Sequence, residues 1–162
     1  LEIFKRGNAL ILRFDENENR QYTTFITITM PALAGVNFSG AVNGKVSGFD
    51  DVERLDVTLS GASLGQIDMD ATEIFLNING ASQLRLKGEG ELMDGIISGA
   101  SVLTAFEYEA VQAQLHVSGA SQGRVTVSQK LQVVATGASE VIYRGEPELI
   151  VETSGASVVK KD

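Results

Sequence analysis

The sequence predicts a parallel β-helix, and three observations carry that prediction. A small polar residue followed by Gly-Ala-Ser recurs six times, with glycines at Gly61, Gly80, Gly99, Gly119, Gly137 and Gly155; a degenerate copy, Ser39-Gly40-Ala41-Val42, precedes them. The glycine-to-glycine steps are 21, 19, 19, 20, 18 and 18 residues, and a fixed period near 20 marks a solenoid whose repeats bury their apolar sides only by stacking. Apolar residues on both sides of each motif alternate with period two, the spacing of a strand with one buried face.

The elements follow in chain order. Leu1-Glu2-Ile3-Phe4 already alternates as a strand, with no charged-then-apolar signal segment ahead of it. The expectation is a chain that begins after a removed leader, inside its domain. Further strands are expected around 9–14 and 25–30, joined by a solvated hairpin loop at the acidic run Asp15-Glu16-Asn17-Glu18-Asn19. That run lacks the spaced Asp/Gly pattern of calcium loops.

The repeats come next. Four, six and eight residues before the motif serine stand Leu59, Val57 and Leu55, then Ile78, Leu76 and Ile74, and so on to Thr153, Val151 and Leu149. Two and four residues after it stand Gly65 and Ile67, Leu84 and Leu86, Leu103 and Ala105, Gly123 and Val125, Val141 and Tyr143. Each turn should therefore hold two short strands, a sharp corner at Gly-Ala-Ser, and a second corner that absorbs all variation in repeat length. Turn formers such as Gly88-Glu89-Gly90 and Gly145-Glu146-Pro147 mark that second corner. Helical repeats are excluded by the spacing and by the many β-branched residues. The expected organisation is one β-helix domain over 1–162, with N-terminal strands in 1–38 and regular repeats in 39–157. Seven glycine-aligned turns and the N-terminal strands, stacked at ~4.8 Å each, should make a rod of roughly 35–40 Å. Its corner should stack a column of glycine, one of alanine and one of serine. The tail Val158-Val159-Lys160-Lys161-Asp162 carries charge suited to blunting a terminal strand edge.

Composition narrows the function. The net charge of −8 makes nucleic acid a poor partner, because phosphate binding needs clustered Lys and Arg. The absence of cysteine excludes disulfides, Cys-based zinc sites and thiol catalysis. No stretch approaches the roughly 18 apolar residues of a spanning helix.

The Gly-Ala-Ser repeats, the segment Met30-Pro31-Ala32-Leu33, and the ending Val141-Ile142-Tyr143-Arg144-Gly145-Glu146-Pro147 followed by Ser154-Gly155-Ala156-Ser157 resemble the head GIN domain family of autotransporter adhesins. The resemblance covers nearly the whole chain. It implies a right-handed β-helix of pectin-lyase-like shape, with further strands upstream of Leu1. It also implies an exported protein or lipoprotein, in the periplasm or on the surface of a Gram-negative bacterium of the Bacteroidetes type. The function it implies is a non-catalytic adhesin or scaffold that works through its sheet faces.

No catalytic residue, cofactor or metal site is expected. His116, the sole histidine, falls in an outward strand phase, and no Gly-x-Ser-x-Gly elbow presents a nucleophile. The competing function is a polysaccharide lyase or hydrolase, which needs carboxylates converging on one face. Its candidates are Asp50-Asp51, Asp68 with Asp70, and Glu107 with Glu109; three or more carboxylates in one groove would favour it. Asn37-Phe38-Ser39 matches a glycosylation sequon but lies among core residues. Phe75, Ile96, Val134 and Ile150 break the polar rule of outward positions, and Ile96, His116 and Val134 should form one column. Such an apolar column is expected to be covered, either by strands upstream of Leu1 or by contact with a protein or a second copy of the chain. The expected partners are a surface glycan, a protein or a second copy of the chain, with the membrane reached only through a lipid anchor outside this chain.

Overall fold

A computed structural model describes residues 1–14, 23–50 and 52–162. Their regular structure is all strand, in two compact units, Leu1–Met30 and Pro31–Asp162.

The first unit is a hairpin. Strands β1 (Glu2–Arg6) and β2 (Ala9–Arg13) pair antiparallel from Arg6↔Ala9 to Glu2↔Arg13. Gly7 turns the chain at φ +59°. The Arg13 guanidinium binds Glu2 at 2.6 Å and lies over the Phe4 ring. This antiparallel pair differs from the stacked strands expected of the solenoid. Residues 25–30 form no strand, because alternation specifies only an extended chain and a strand also needs a neighbour's ladder. The acidic run at 15–19 lies outside the described residues.

The second unit is a parallel β-solenoid of seven turns. Its strands are β3 (Gly35–Phe38), β4 (Asn43–Ser47), β5 (Val52–Leu59), β6 (Leu64–Asp68), β7 (Ala71–Ile78), β8 (Gln83–Ile97), β9 (Val102–Val117), β10 (Gln122–Ala135), β11 (Glu140–Arg144), β12 (Glu148–Thr153) and β13 (Val158–Lys161). Every pairing among them is parallel. The register matches the sequence columns rung by rung. Leu55 pairs with Ile74, Ile74 with Met93, Met93 with Ala113, Ala113 with Leu131, and Leu131 with Leu149. The column through Val57, Leu76, Gly95, Leu115 and Val133 runs beside it. These residues are buried from Leu55 to Val133, and each buried aliphatic side chain contributes roughly 1.5–3 kcal/mol.

The Gly-Ala-Ser corner repeats one geometry. Its glycines have φ between +72° at Gly155 and +80° at Gly99, a region that only glycine enters without strain. Each glycine carbonyl before Gly155 accepts the N–H of the alanine one turn on, as in Ala100 to Gly80 and Ala120 to Gly99, both 2.8 Å. The serines Ser63, Ser82, Ser101, Ser121 and Ser139 point into the lumen and are fully enclosed. Their hydroxyls bond to backbone groups of the corner: Ser63 Oγ donates to Ser60 O at 2.9 Å, and Ser121 Oγ accepts the Ser101 N–H at 3.3 Å. Among the described residues no buried side-chain polar atom lacks a partner, so the serine column carries no desolvation penalty.

The second corner differs from the expectation of two strands per turn. β8, β9 and β10 run through it without a break. In β9 the buried residues are Leu103 and Ala105, then Tyr108 and Ala110, then Ala113, Leu115 and Val117. The alternation slips one residue at each gap, and the ladder shifts register beside the first slip and again past Val127. Each slip turns the strand onto a new face, so a turn has three faces, the middle one short. Ala71, Gly90 and Ala110 line that middle face in successive turns.

The ends of this unit contrast. At the first turn, Leu33, Val36, Phe38 and Phe49 pack against the core, and Phe38 fills the space above Gly44. At the last turn, Leu149 and Val151 keep the inward phase but remain 41% and 37% exposed. β13 is tied to β11 by Arg144–Asp162 and Lys160–Glu140, each 2.7 Å, and Lys161 pairs with Glu146.

Candidate functional site

The three faces of the solenoid offer different chemistry. On the face before the Gly-Ala-Ser corner, the register stacks Asn77, Ile96, His116, Val134 and Glu152. Ile96 is 51% exposed, Val134 is half-buried, and His116 lies exposed between them. Phe75 belongs to the neighbouring column, with Asp56, Asp94, Gln114, Gln132 and Ile150. The Arg54 guanidinium covers its ring at 3.9 Å and is itself held by Asp56 at 2.9 Å. This cation–π contact makes Phe75 less available than its outward phase implies. Ile150 is 39% exposed at the last turn. Asn37 is exposed on β3, while its neighbours Val36 and Phe38 pack against the core.

The short middle face carries the acidic chemistry. A groove of about 760 Å³ runs along it, where Asp50, Glu53, Asp70, Glu89, Glu91 and Glu109 stand among small and apolar residues. Glu89 and Glu109 are register partners on adjacent strands, and the Asp70 carboxylate accepts the Glu89 backbone N–H at 2.9 Å. Like charges thus stack turn upon turn. Among the described residues no three His, Asp or Glu side chains converge closely enough to hold a metal ion. No Lys or Arg lines the groove.

Tyr108 is enclosed in the core beside two groove residues, Ala71 and Gly90. Its hydroxyl donates to the Ala71 carbonyl at 3.1 Å, and its ring is fully enclosed. Burial, and then the charges of Asp70 and Glu89, push its pKa up to about 12, because each disfavours a phenolate.

The candidate carboxylate pairs are therefore split. Asp50, Asp70 and Glu109 enter the groove, whereas Asp68 and Glu107 do not line it. Asp68 and Glu107 each pair in register with Lys87, on the face beyond the serine corner. Asp51 lies outside the described residues. The sequence pattern gave no warning of Glu53, Glu89, Glu91 or Tyr108. Their signal is the phase slip itself: Tyr108 stands three residues after Ala105, where strict alternation would leave it outward.

A family model described as "Putative auto-transporter adhesin, head GIN domain" matches residues 1–147. No curated protein and no solved structure matches the chain.

Proposed function

The chain belongs to the auto-transporter adhesin head GIN domain family, and from that premise we propose that it is an exported, non-catalytic module for adhesion or scaffolding that binds through its outer sheet faces. The supporting observation is the column Ile96–His116–Val134 on adjacent rungs of a parallel ladder, with Ile96 half open to solvent. Parallel strands hold such side chains at a fixed ~4.8 Å pitch, so the face is preorganised and loses little entropy on contact. A working place in the periplasm or on the surface of a Gram-negative cell, with any lipid anchor outside this chain, fits the same role. A glycan-array screen of the domain, run beside a light-scattering mass, tests the proposal. Retention of a glycan or self-association through this face supports it, and neither binding nor association sinks it.

One observation favours a second reading, a polysaccharide-active enzyme: six carboxylates share a groove, with Glu89 and Glu109 in register. Paired carboxylates are what glycoside hydrolysis requires. Release of reducing ends from any acidic or neutral polysaccharide, abolished by Glu109→Gln, would establish it over the adhesin role.

A further inference from the structure

The face beyond the Gly-Ala-Ser corner is unlike the rest of the molecule. Its central outward column reads Lys45, Gln66, Arg85, Thr104, Arg124, Ile142, Lys160 in strict register from β4 to β13. Cations therefore recur on every second rung, about 9.6 Å apart from one to the next. Lys87 and Arg144 flank this column. Six cations face four carboxylates, Asp68, Glu107, Glu140 and Asp162, on a chain whose net charge is −8. Glu140 is engaged by Lys160 and Asp162 by Arg144. Lys45, Arg85, Lys87 and Arg124 make no ion pair among the described residues. The first three are exposed and Arg124 is half-buried.

Resting on the reading of the domain as an exported binding module, we propose that this face docks an extended acidic polysaccharide along the solenoid axis, with Arg85 and Arg124 as its principal carboxylate contacts. Three features select this partner. An extended glycan advances by roughly one strand spacing per sugar, so a chain charged once in two sugars meets a cation at each charge. Guanidinium groups bind planar carboxylates through two parallel hydrogen bonds, which suits arginine at the two central positions. The intervening Gln66 and Thr104 supply neutral donors and acceptors for sugar hydroxyls. Nucleic acid fits poorly. It carries one charge per ~3.4 Å on each strand, far denser than this column, and prefers aromatic platforms for its bases. Phe106, the aromatic ring beside this column, lies under the Arg144 guanidinium at 4.0 Å.

The test uses the 162-residue chain in biolayer interferometry at low and at physiological salt. The probes are immobilised hyaluronan, which carries one carboxylate per two sugars, neutral dextran, oligothymidylate, and vesicles of phosphatidylglycerol. Hyaluronan should be retained and dextran not, with binding that weakens steeply as salt rises. Arg85→Gln with Arg124→Gln should weaken it at least tenfold at an unchanged melting temperature, whereas Lys130→Gln, outside this face, should leave it intact. No retention of hyaluronan at low salt, equal binding by the double variant, or tighter binding to oligothymidylate or vesicles would each overturn the assignment. The adhesin role fails separately: a dextran or protein contact through the Ile96 face would preserve it while this proposal falls, and cleavage of hyaluronan would end it.

Discussion

The Tyr108 phenol lies over Gly90, in space that any side chain at position 90 would need. A Cβ built on Gly90 overlaps both the Tyr108 hydroxyl and the Ala71 carbonyl. The middle face of the solenoid is thus packed by one large ring set against a residue without a side chain. Gly88, the register partner of Tyr108, likewise has backbone and the Asp70 carboxylate where a side chain would go.

This packing makes stability depend on alkaline pH. Tyr108 holds its proton up to about pH 12 in the folded chain, against the ordinary phenol value of 10.0 in an unfolded one. The raised pKa gives stability that is whole below pH 10 and is lost as pH climbs from 10 toward 12. By pH 11.5 the loss amounts to roughly 2 kcal/mol. Urea titrations at pH 8 and pH 11.5 should show that loss, and Tyr108→Phe should remove most of it. The same variant should cost about 1 kcal/mol at pH 8 by deleting the bond to Ala71. An alkaline limb identical in both proteins would assign the loss to other groups.

Gly99→Val should destabilise the solenoid by about 3 kcal/mol or more, well beyond the ~1 kcal/mol of an average substitution. Two costs combine: φ is +80°, which a β-branched residue avoids, and a Cβ there falls 2.5 Å from Gly80 O. A thermal melt equal to that of wild type would show that the corner tolerates a side chain.

His116→Ala should leave folding and binding to acidic glycans unaltered. The imidazole is exposed on β9, with Ile96 and Val134 as its register neighbours. A hydrolytic or transferase activity lost with this one substitution would instead make His116 a catalytic residue.

Ile96→Lys with Val134→Lys should yield a monomer with the melting temperature of wild type, where wild type gains mass with concentration in light scattering. At ~25 cal/mol per Å², even a few hundred Å² of covered apolar surface holds such a contact together. A destabilised monomer would assign the column an intramolecular cover. A variant equal to wild type in both mass and melt would leave the face bare.

The register was legible because each Gly-Ala-Ser corner fixes the phase of the strands on both sides, so columns such as Leu55–Ile74–Met93 follow by counting. The middle face was not. Its inward column through Ala71, Gly90 and Ala110 is too small to mark a hydrophobic period, and the column beside it sets Tyr108 against Gly88. The acidic groove was hidden for a related reason. Two residues spaced by two share a face only while alternation holds, and the slip after Ala105 lets Glu109 enter the groove while Glu107 stays out of it. The hairpin of β1 and β2 was legible as strands but not as an antiparallel pair, since alternation says nothing of a partner's direction.

The glycine-to-alanine ladder has a mechanical consequence. Its hydrogen bonds, like those of the whole parallel sheet, lie along the stacking axis, each joining one turn to the next. Tension applied along that axis loads all the interfaces in series, and the end turn, pulled at its chain terminus, peels away first because its bonds break one after another. A released turn of about 19 residues pays out roughly 65 Å of extended chain. A tethered module of this build yields under load in a train of small extensions, each dissipating work, and the turns still stacked keep their outer faces intact while the ruptured ones lengthen the tether.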